Sequence, residues 1–407
     1  MRYSIEEAAM ILFALATFSP AVLILAALLW GGAWAWLAAG FVTLLAFSLD
    51  RLVPEQIENA DPQAEFPGAT RLLITLGMAH LLLLSAGVWA VGGNSGLTGL
   101  ESGLIAASVS LFCGQVSHPV AHELIHKPGR RARLLGQVIY SSMMFGHHAS
   151  AHLRVHHVHV GTAADPNSAA LGESFYRFAL RAWPQGFMAG LRAENRLRRG
   201  QPVWRHPYVL YVSVAGLTMT GAGMLAGLPG VSALLMINIY AQLQILVADY
   251  VQHYGLRRHI LADGRPEPVG PQHSWNTPHW FTSAMALNAP RHSDHHVTPA
   301  RPFPALQLDE DKMPCLPYSL PIMAGIALVP PAWRRVMDPR CARWLPMWID
   351  RPAANACDIP PAIVARAKPA GEDGAVLPEL AHAKPDADPV PDLWRHHRRR
   401  QRPDDSG

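Results

Sequence analysis

Three short stretches of the chain carry histidines at spacings that suit metal ligation. His122 and His126 stand four apart in His122-Glu123-Leu124-Ile125-His126; His152, His156 and His157 follow at i, i+4 and i+5; His292, His295 and His296 stand at i, i+3 and i+4. Residues three or four apart share a helix face, so each set can aim two or three ring nitrogens at one point. His253, just past a long apolar run, adds a ninth imidazole. Nine exceed what one ion accepts, so the expectation is two ions with four or five ligands each and positions left open. Imidazole suits zinc, copper, nickel and iron alike. Zinc needs no paired all-nitrogen site to polarise water, whereas two-electron splitting of O2 needs redox metals, so a di-iron centre with O2 as co-substrate is expected. Glu123, Asp165, Asp249 and Asp294 are the carboxylates placed to orient those rings or offset the charge of the ions.

The stretch 122–126 also fits the H-E-x-x-H pattern of zinc metalloproteases, in which two histidines and a third ligand hold zinc and the glutamate is the general base. That reading leaves the two later histidine sets without a task, and an intramembrane protease would want an acidic ligand inside a later span. The last apolar run has no acid before Asp249, at its edge. An intramembrane zinc metalloprotease is therefore the remote alternative.

The chain has 21 histidines, nine of them between His118 and His159, so not every one can be a ligand. His118, His147, His148, His159, His273 and His279 read as residues that support the site or pack in loops. His80 lies in the middle of an apolar run, where an ionisable group is costly; a neutral ring hydrogen-bonded to a neighbouring helix is the expectation, and a polar gate in a substrate channel the alternative. Arg130, Arg131 and Arg133 offer a basic face for an acidic electron carrier, or merely enforce topology.

The elements that must position these residues are membrane helices. Half the residues are hydrophobic, only 16% are charged, and the charges fall in blocks separated by long uncharged runs. Spans of about 20 residues are expected, near 8–30, 31–49, 72–91, 100–117, 208–228 and 231–250. They form three hairpins, with turns at 92–96 and at Gly227-Leu228-Pro229-Gly230. The hairpin turns carry no basic residue, whereas 118–207 is dense in them, so both termini and the histidines are expected on the cytosolic side. Trp34, Trp36 and Trp89 read as interfacial anchors. The opening run is too long for a secretory signal core and lacks a basic start, so it should remain in the protein. Cys113, Cys315, Cys341 and Cys357 form no C-x-x-C pair, which argues against a fused zinc-ribbon or rubredoxin-type module and against disulfides. Residues 1–357 should form one membrane domain, and 358–407, rich in Pro, Ala and Arg, a disordered tail. The fold class expected is all-α: a six-helix transmembrane bundle with a cytosolic helical cap holding a dinuclear site.

The histidine boxes resemble those of the membrane fatty-acid desaturase/hydroxylase superfamily, H-x(3–4)-H followed by two H-x(2–3)-H-H boxes. His-Glu-Leu-Ile-His-Lys at 122–127, the stretch 159–169, Gln-His-Tyr-Gly-Leu at 252–256, Pro-Gln-His-Ser-Trp-Asn-Thr-Pro-His at 271–279 and Arg-His-Ser-Asp-His-His at 291–296 are similar to the alkane 1-monooxygenase and xylene monooxygenase branch. The similarity runs over roughly residues 70 to 335. It implies six membrane helices, two irons on the nine histidines as metal-binding and catalytic residues, and O2-dependent terminal hydroxylation of an alkane entering from the lipid phase. It also implies electrons from a separate carrier such as rubredoxin with its reductase, and residence in a bacterial inner membrane. A lipid desaturase with the same boxes is the nearest alternative; no nucleic-acid partner is expected. Ala151 and Gln252 depart from the pattern, standing where the alkane enzymes usually have glutamate just before a ligand histidine.

Overall fold

The computed structural model describes residues 5–52, 58–93 and 95–344. The expected tail at 358–407, Cys357, Glu55 and Asn94 lie outside the described residues. Among those described the protein is helical, with no strands beyond two isolated bridges. The first long helix is α1 (Ile5–Trp30); α2 (Gly32–Gly40) continues through a π-helical turn at Phe41–Leu45 into α3 (Ala46–Leu52). Next come α4 (Pro67–Gly92) and α5 (Gly99–Phe112). A second π-helical turn, Cys113–Ser117, carries α5 directly into α6 (His118–His126).

Five helical stretches are long and apolar enough to cross a membrane: 9–30, 32–52, 67–92, 99–126 and 207–252. Their outward faces are greasy, with Leu15 61% and Met224 84% exposed. Burial cannot account for leucine and methionine there, but lipid can, and the chain is an integral membrane protein. The start of α5 is written in a capping box: the Thr98 hydroxyl accepts the Glu101 N–H, and the Glu101 carboxylate accepts the Thr98 N–H. That box starts the helix at Gly99, next to the expected start of the span at 100.

The last two expected spans, 208–228 and 231–250, fall within one apolar stretch, 207–252. That stretch, α11 (Pro207–Gln252), is two helical arms that meet at a break at Ala226 and Gly227, where φ of +61° at Gly227 takes the left-handed region that glycine tolerates. Tyr211, before the break, fills the space that a Cβ on Gly146 would take, while Asn238, after it, donates to the Ser142 carbonyl. Both arms therefore return to the same neighbourhood.

Close approaches gather the turns at one end of the bundle. Gly32 donates its N–H to Glu101, joining the α1–α2 turn to the start of α5. A Cβ on Gly92, at the end of α4, would sit 2.6 Å from the Cα of Gly230, beside the α11 break. The opposite end carries the chemistry. There α6 is followed by α7 (Arg130–Ser142), α8 (His147–Ala151), a third π-helical turn at His152–His156, α9 (His157–His159) and α10 (Phe175–Leu197). Beyond α11 lie α12 (Trp280–Met285) and α13 (His292–Val297), with α14 (Leu320–Ala327) and α15 (Pro330–Trp344) closing the described chain.

Candidate metal centre

The nine histidines singled out by spacing converge in two groups. His122, His126, His152, His157 and His295 form one; His156, His253, His292 and His296 form the other; within each group the ligand atoms lie within 4.8 Å of one another. The groups abut, with the rings of His157 and His296 only 4.7 Å apart. Nε2 atoms face one another at 2.8 Å for His122 and His152, 2.9 Å for His152 and His157, and 3.1 Å for His157 and His295. In the second group the spacings are 3.2 Å for His156 and His296, 3.1 Å for His292 and His296, and 2.9 Å for His253 and His292.

These distances test the site against a metal pair. Ligand nitrogens about 2.1 Å from an ion and at right angles to each other stand about 3 Å apart. A neutral imidazole has one N–H and one lone pair, so a ring of facing Nε2 atoms cannot be satisfied by hydrogen bonds alone. The geometry fits lone pairs converging on two cations. Burial, aided by repulsion from neighbouring imidazoles, holds His152, His157, His253, His295 and His296 well below the ordinary histidine range, and burial takes His292 down to about 3. At neutral pH these rings are unprotonated and free to ligate.

The local structure explains which histidine joins which group. On an α-helix, at 100° per residue, His157 would point about 140° away from His152. The turn at 152–156 is instead π-helical, and the His157 N–H donates to the His152 carbonyl, five residues back. At about 80° per residue, His156 and His157 then flank the direction of His152 on either side. His157 therefore shares the first group with His152, while His156 enters the second. In α13, a true α-helical turn, His295 joins the first group while His292 and His296, one turn apart, join the second.

Of the four carboxylates expected around the rings, Asp165 alone among the described residues is hydrogen-bonded to one of them: His156 Nδ1 donates to Asp165 Oδ2 at 2.9 Å. Asp165 is fixed in turn by the Ser168 hydroxyl and the Asn167 N–H. Burial opposes protonation of His156, but the Asp165 carboxylate outweighs it and raises this one ring above its usual range. Asp249 accepts from Asn167 and so acts one residue further out. Asp294 turns away to Arg301 and the Gln307 N–H, tying α13 to the following loop. Glu123 is buried, and its carboxyl is hydrogen-bonded by the Phe303 backbone and not by any of the nine rings. With His122 and His126 joined by His152, His157 and His295 in a set of five imidazoles, the three-ligand site of a zincin is not what the fold builds.

Three residues carry the positioning that spacing did not reveal. Trp275 donates its backbone N–H to the Gln252 carbonyl and its indole N–H to the Tyr254 carbonyl, clamping the chain on either side of His253. Asn276 accepts the Ser293 N–H and donates to the Ser293 hydroxyl, next to His292. Asp50, at the end of the second span, accepts the N–H groups of Phe281 and Thr282 and so caps α12. At the two departures from the family pattern, Gln252 donates to the Ala289 carbonyl and Ala151 packs against the face of Gly190.

The other histidines have separate partners. His80 bonds Ser117 through Nδ1 and Ser142 through Nε2, both at 2.9 Å, pinning α4 to two neighbours as a neutral buried ring should. His273 is held between the Gly270 N–H and Glu267. His147 packs on Phe145, Trp183 and Phe187. His118, His148 and His279 join neither group, and nor does His159.

Membrane-spanning helices ending in a buried double nest of imidazoles define an integral-membrane, histidine-rich metalloprotein. Residues 98–321 match the model of the fatty acid desaturase family, and the chain belongs to that family. It is 32% identical to alkane 1-monooxygenase 2 of Pseudomonas aeruginosa over 76% of this chain and 84% of the relative. It is likewise 32% identical to alkane 1-monooxygenase of Ectopseudomonas oleovorans, over 73% and 75%. To the hydroxylase component of xylene/toluene monooxygenase of Pseudomonas putida it is 26% identical over 77% and 85%.

Proposed function

We propose that this protein is an O2-dependent monooxygenase that hydroxylates an unactivated C–H bond, the terminal methyl of an alkane or a similar apolar chain, using two irons. The observation that carries the reading is the division of nine imidazoles into facing sets of five and four with Nε2 spacings near 3 Å. The kinship with alkane 1-monooxygenases gives the substrate class. When bound, a pair of irons supplies the electrons that cleave O2 and the oxidising power to attack a C–H bond.

The protein's own part is ligation, orientation and exclusion of water. Imidazole nitrogens hold the charge, Asp165 bonds Nδ1 of His156 and leaves Nε2 facing the group, and Trp275 and Asn276 set His253 and His292. The second group is buried throughout, whereas His126 and His157 of the first are half-buried. That half-open side faces electron delivery by a separate carrier such as rubredoxin with its reductase. Counting the two arms of α11 apart gives six spans, with termini and metal site on the cytosolic side of a bacterial inner membrane, so that an apolar chain enters from the lipid. One methylene more or less in an apolar cavity changes binding by only about 1–3 kcal/mol, so a range of chain lengths should react.

The test is metal analysis of the purified protein with product analysis from mixed hydrocarbons under labelled O2. Two irons per chain and one labelled oxygen in a terminal alcohol support the reading. A product lighter by two hydrogens would make the protein a desaturase, and one zinc with no O2 uptake would overturn both.

A further inference from the structure

Next to the first histidine group lies a buried phenol that ligation does not use. Tyr140, in α7, is wholly shielded, and its hydroxyl lies 3.0 Å from His118 Nδ1 and 3.4 Å from the His118 carbonyl. Its ring lies 5.0 Å from that of His148, which stacks on His152 at 5.4 Å. By the other route, the His118 ring is 6.2 Å from His122. One non-ligand imidazole thus separates Tyr140 from the first group on each of two paths. The contacts continue outward from His148: Phe145 at 5.1 Å, His147 beyond it at 4.7 Å, then Trp183 at 5.0 Å, which is 37% exposed and donates its indole N–H to Gln242. Centroid separations below about 7 Å are aromatic contacts, so this is an unbroken line of rings from the metal ligands to the surface.

We propose that Tyr140, paired with His118, is a one-electron donor that quenches the oxidised metal site when O2 has been activated with no substrate in place, and that Trp183 is the surface exit of the same line. The proposal rests on the monooxygenase reading. In the step, one electron leaves the Tyr140 ring for the oxidised site while the phenolic proton moves to His118 Nδ1, leaving a neutral tyrosyl radical beside an imidazolium. Trp183 then gives an electron to the radical as the proton returns from His118, and a one-electron reductant of the class that feeds the enzyme refills Trp183. Two features suit Tyr140 to the first step. Burial, with the Asp249 charge adding to it, keeps the phenol well above its ordinary pKa, so it is protonated at rest. Loss of an electron makes the phenolic proton strongly acidic, and the His118 ring 3.0 Å away is a base placed to take it, so the positive charge rests on an imidazolium and not on a phenol radical cation.

The experiment mixes reduced, iron-loaded full-length protein in lipid nanodiscs with O2, with and without alkane, and freezes it rapidly for electron paramagnetic resonance. Without alkane, an organic radical with tyrosine couplings should appear, change line shape when the protein carries ring-deuterated tyrosine, and vanish in Tyr140→Phe. Peptide mapping of Tyr140→Phe should show several-fold more oxidised histidine in the two groups. Trp183→Phe, at an exposed position, should prolong the tyrosine signal several-fold and serves if Tyr140→Phe fails to fold. Protein that hydroxylates alkane when it is supplied yet shows no tyrosine radical when it is withheld, or a radical unchanged in both variants, overturns this proposal alone. No O2 uptake by the iron-loaded wild type overturns it together with the monooxygenase reading.

Discussion

Asn276 grips Ser293 twice, accepting its backbone N–H through Oδ1 at 2.9 Å and donating through Nδ2 to its hydroxyl at 2.8 Å. The same Nδ2 lies within reach of the Ser274 and Pro314 carbonyls, so the amide is surrounded by groups that need a donor on that side. Ser293 adjoins His292, and Trp275 beside Asn276 clamps the segment of His253. Two ligands of the second group, whose nitrogens face each other at 2.9 Å, are thereby registered by one dipeptide.

Asn276→Asp should therefore damage the second group more than the first. The change is nearly isosteric but turns the donor into a carboxylate facing carbonyl oxygens in a buried place, at a cost of about 3–5 kcal/mol. Asn276→Ala should cost about 1–3 kcal/mol by leaving buried groups unpaired. Iron content checks this: Asn276→Asp should fall toward half the wild-type metal or fail to fold, with Asn276→Ala between. Full metal content in both would show that the clamp does not register the ligands.

Asp165→Asn should weaken metal holding at His156 while leaving the fold intact. The carboxylate fixes Nδ1–H on His156 and makes Nε2 a better ligand; an amide holds the ring less firmly and contributes no charge. Loss of such a partner lowers metal affinity by about 10–100-fold. Competition against a chelator of known affinity reads this directly, and an affinity within twofold of wild type would remove Asp165 from the account.

The gathering of the nine histidines was legible because their spacing sets them on shared helix faces, and the setting of His80 because burial in a span leaves a histidine few options. The partition between groups was not legible. His152, His156 and His157 read as one α-helical face, and only the π-helical turn shows why two neighbouring rings serve different sets. Asp294 looked like a partner for the rings because it sits among them in sequence, yet Arg301 and Gln307 hold it elsewhere. Trp275, Asn276 and Asp50 act on segments distant along the chain, Asp50 on residues more than 230 positions away, and no local pattern announces such contacts.

His147 makes stability sensitive to acid apart from any metal. Burial among aromatic rings lowers it from 6.5 to about 4. Between those values the unfolded chain binds a proton that the folded chain refuses, so its contribution is present above pH 6.5 and is lost as pH falls toward 4. The loss totals about 3 kcal/mol when complete. His147→Phe keeps an aromatic ring in the pocket and removes the proton site. Unfolding in detergent from pH 7 to 4 should show a shallower decline for the variant than for wild type; parallel curves would mean that His147 is protonated alike in both states.

Electron delivery should depend on Arg130 and Arg131 but less on Arg133. Arg133 is turned inward, donating to the carbonyls of Lys127 and Pro128 just past α6, whereas Arg130 and Arg131 are exposed at the start of α7. They follow within five residues of His126, one of the half-buried ligands on the open side of the first group. A basic patch there attracts an acidic carrier over about the Debye length, 10 Å at 0.1 M salt, and the attraction fades as salt is added. Arg130→Gln with Arg131→Gln should slow reduction by the carrier several-fold at low ionic strength and flatten its salt dependence, the two proteins converging at high salt. Arg133→Gln should instead lower thermal stability with little change in that slope. If the double variant keeps the wild-type salt slope, the carrier docks on another face and these arginines serve only to hold the segment on its side of the membrane.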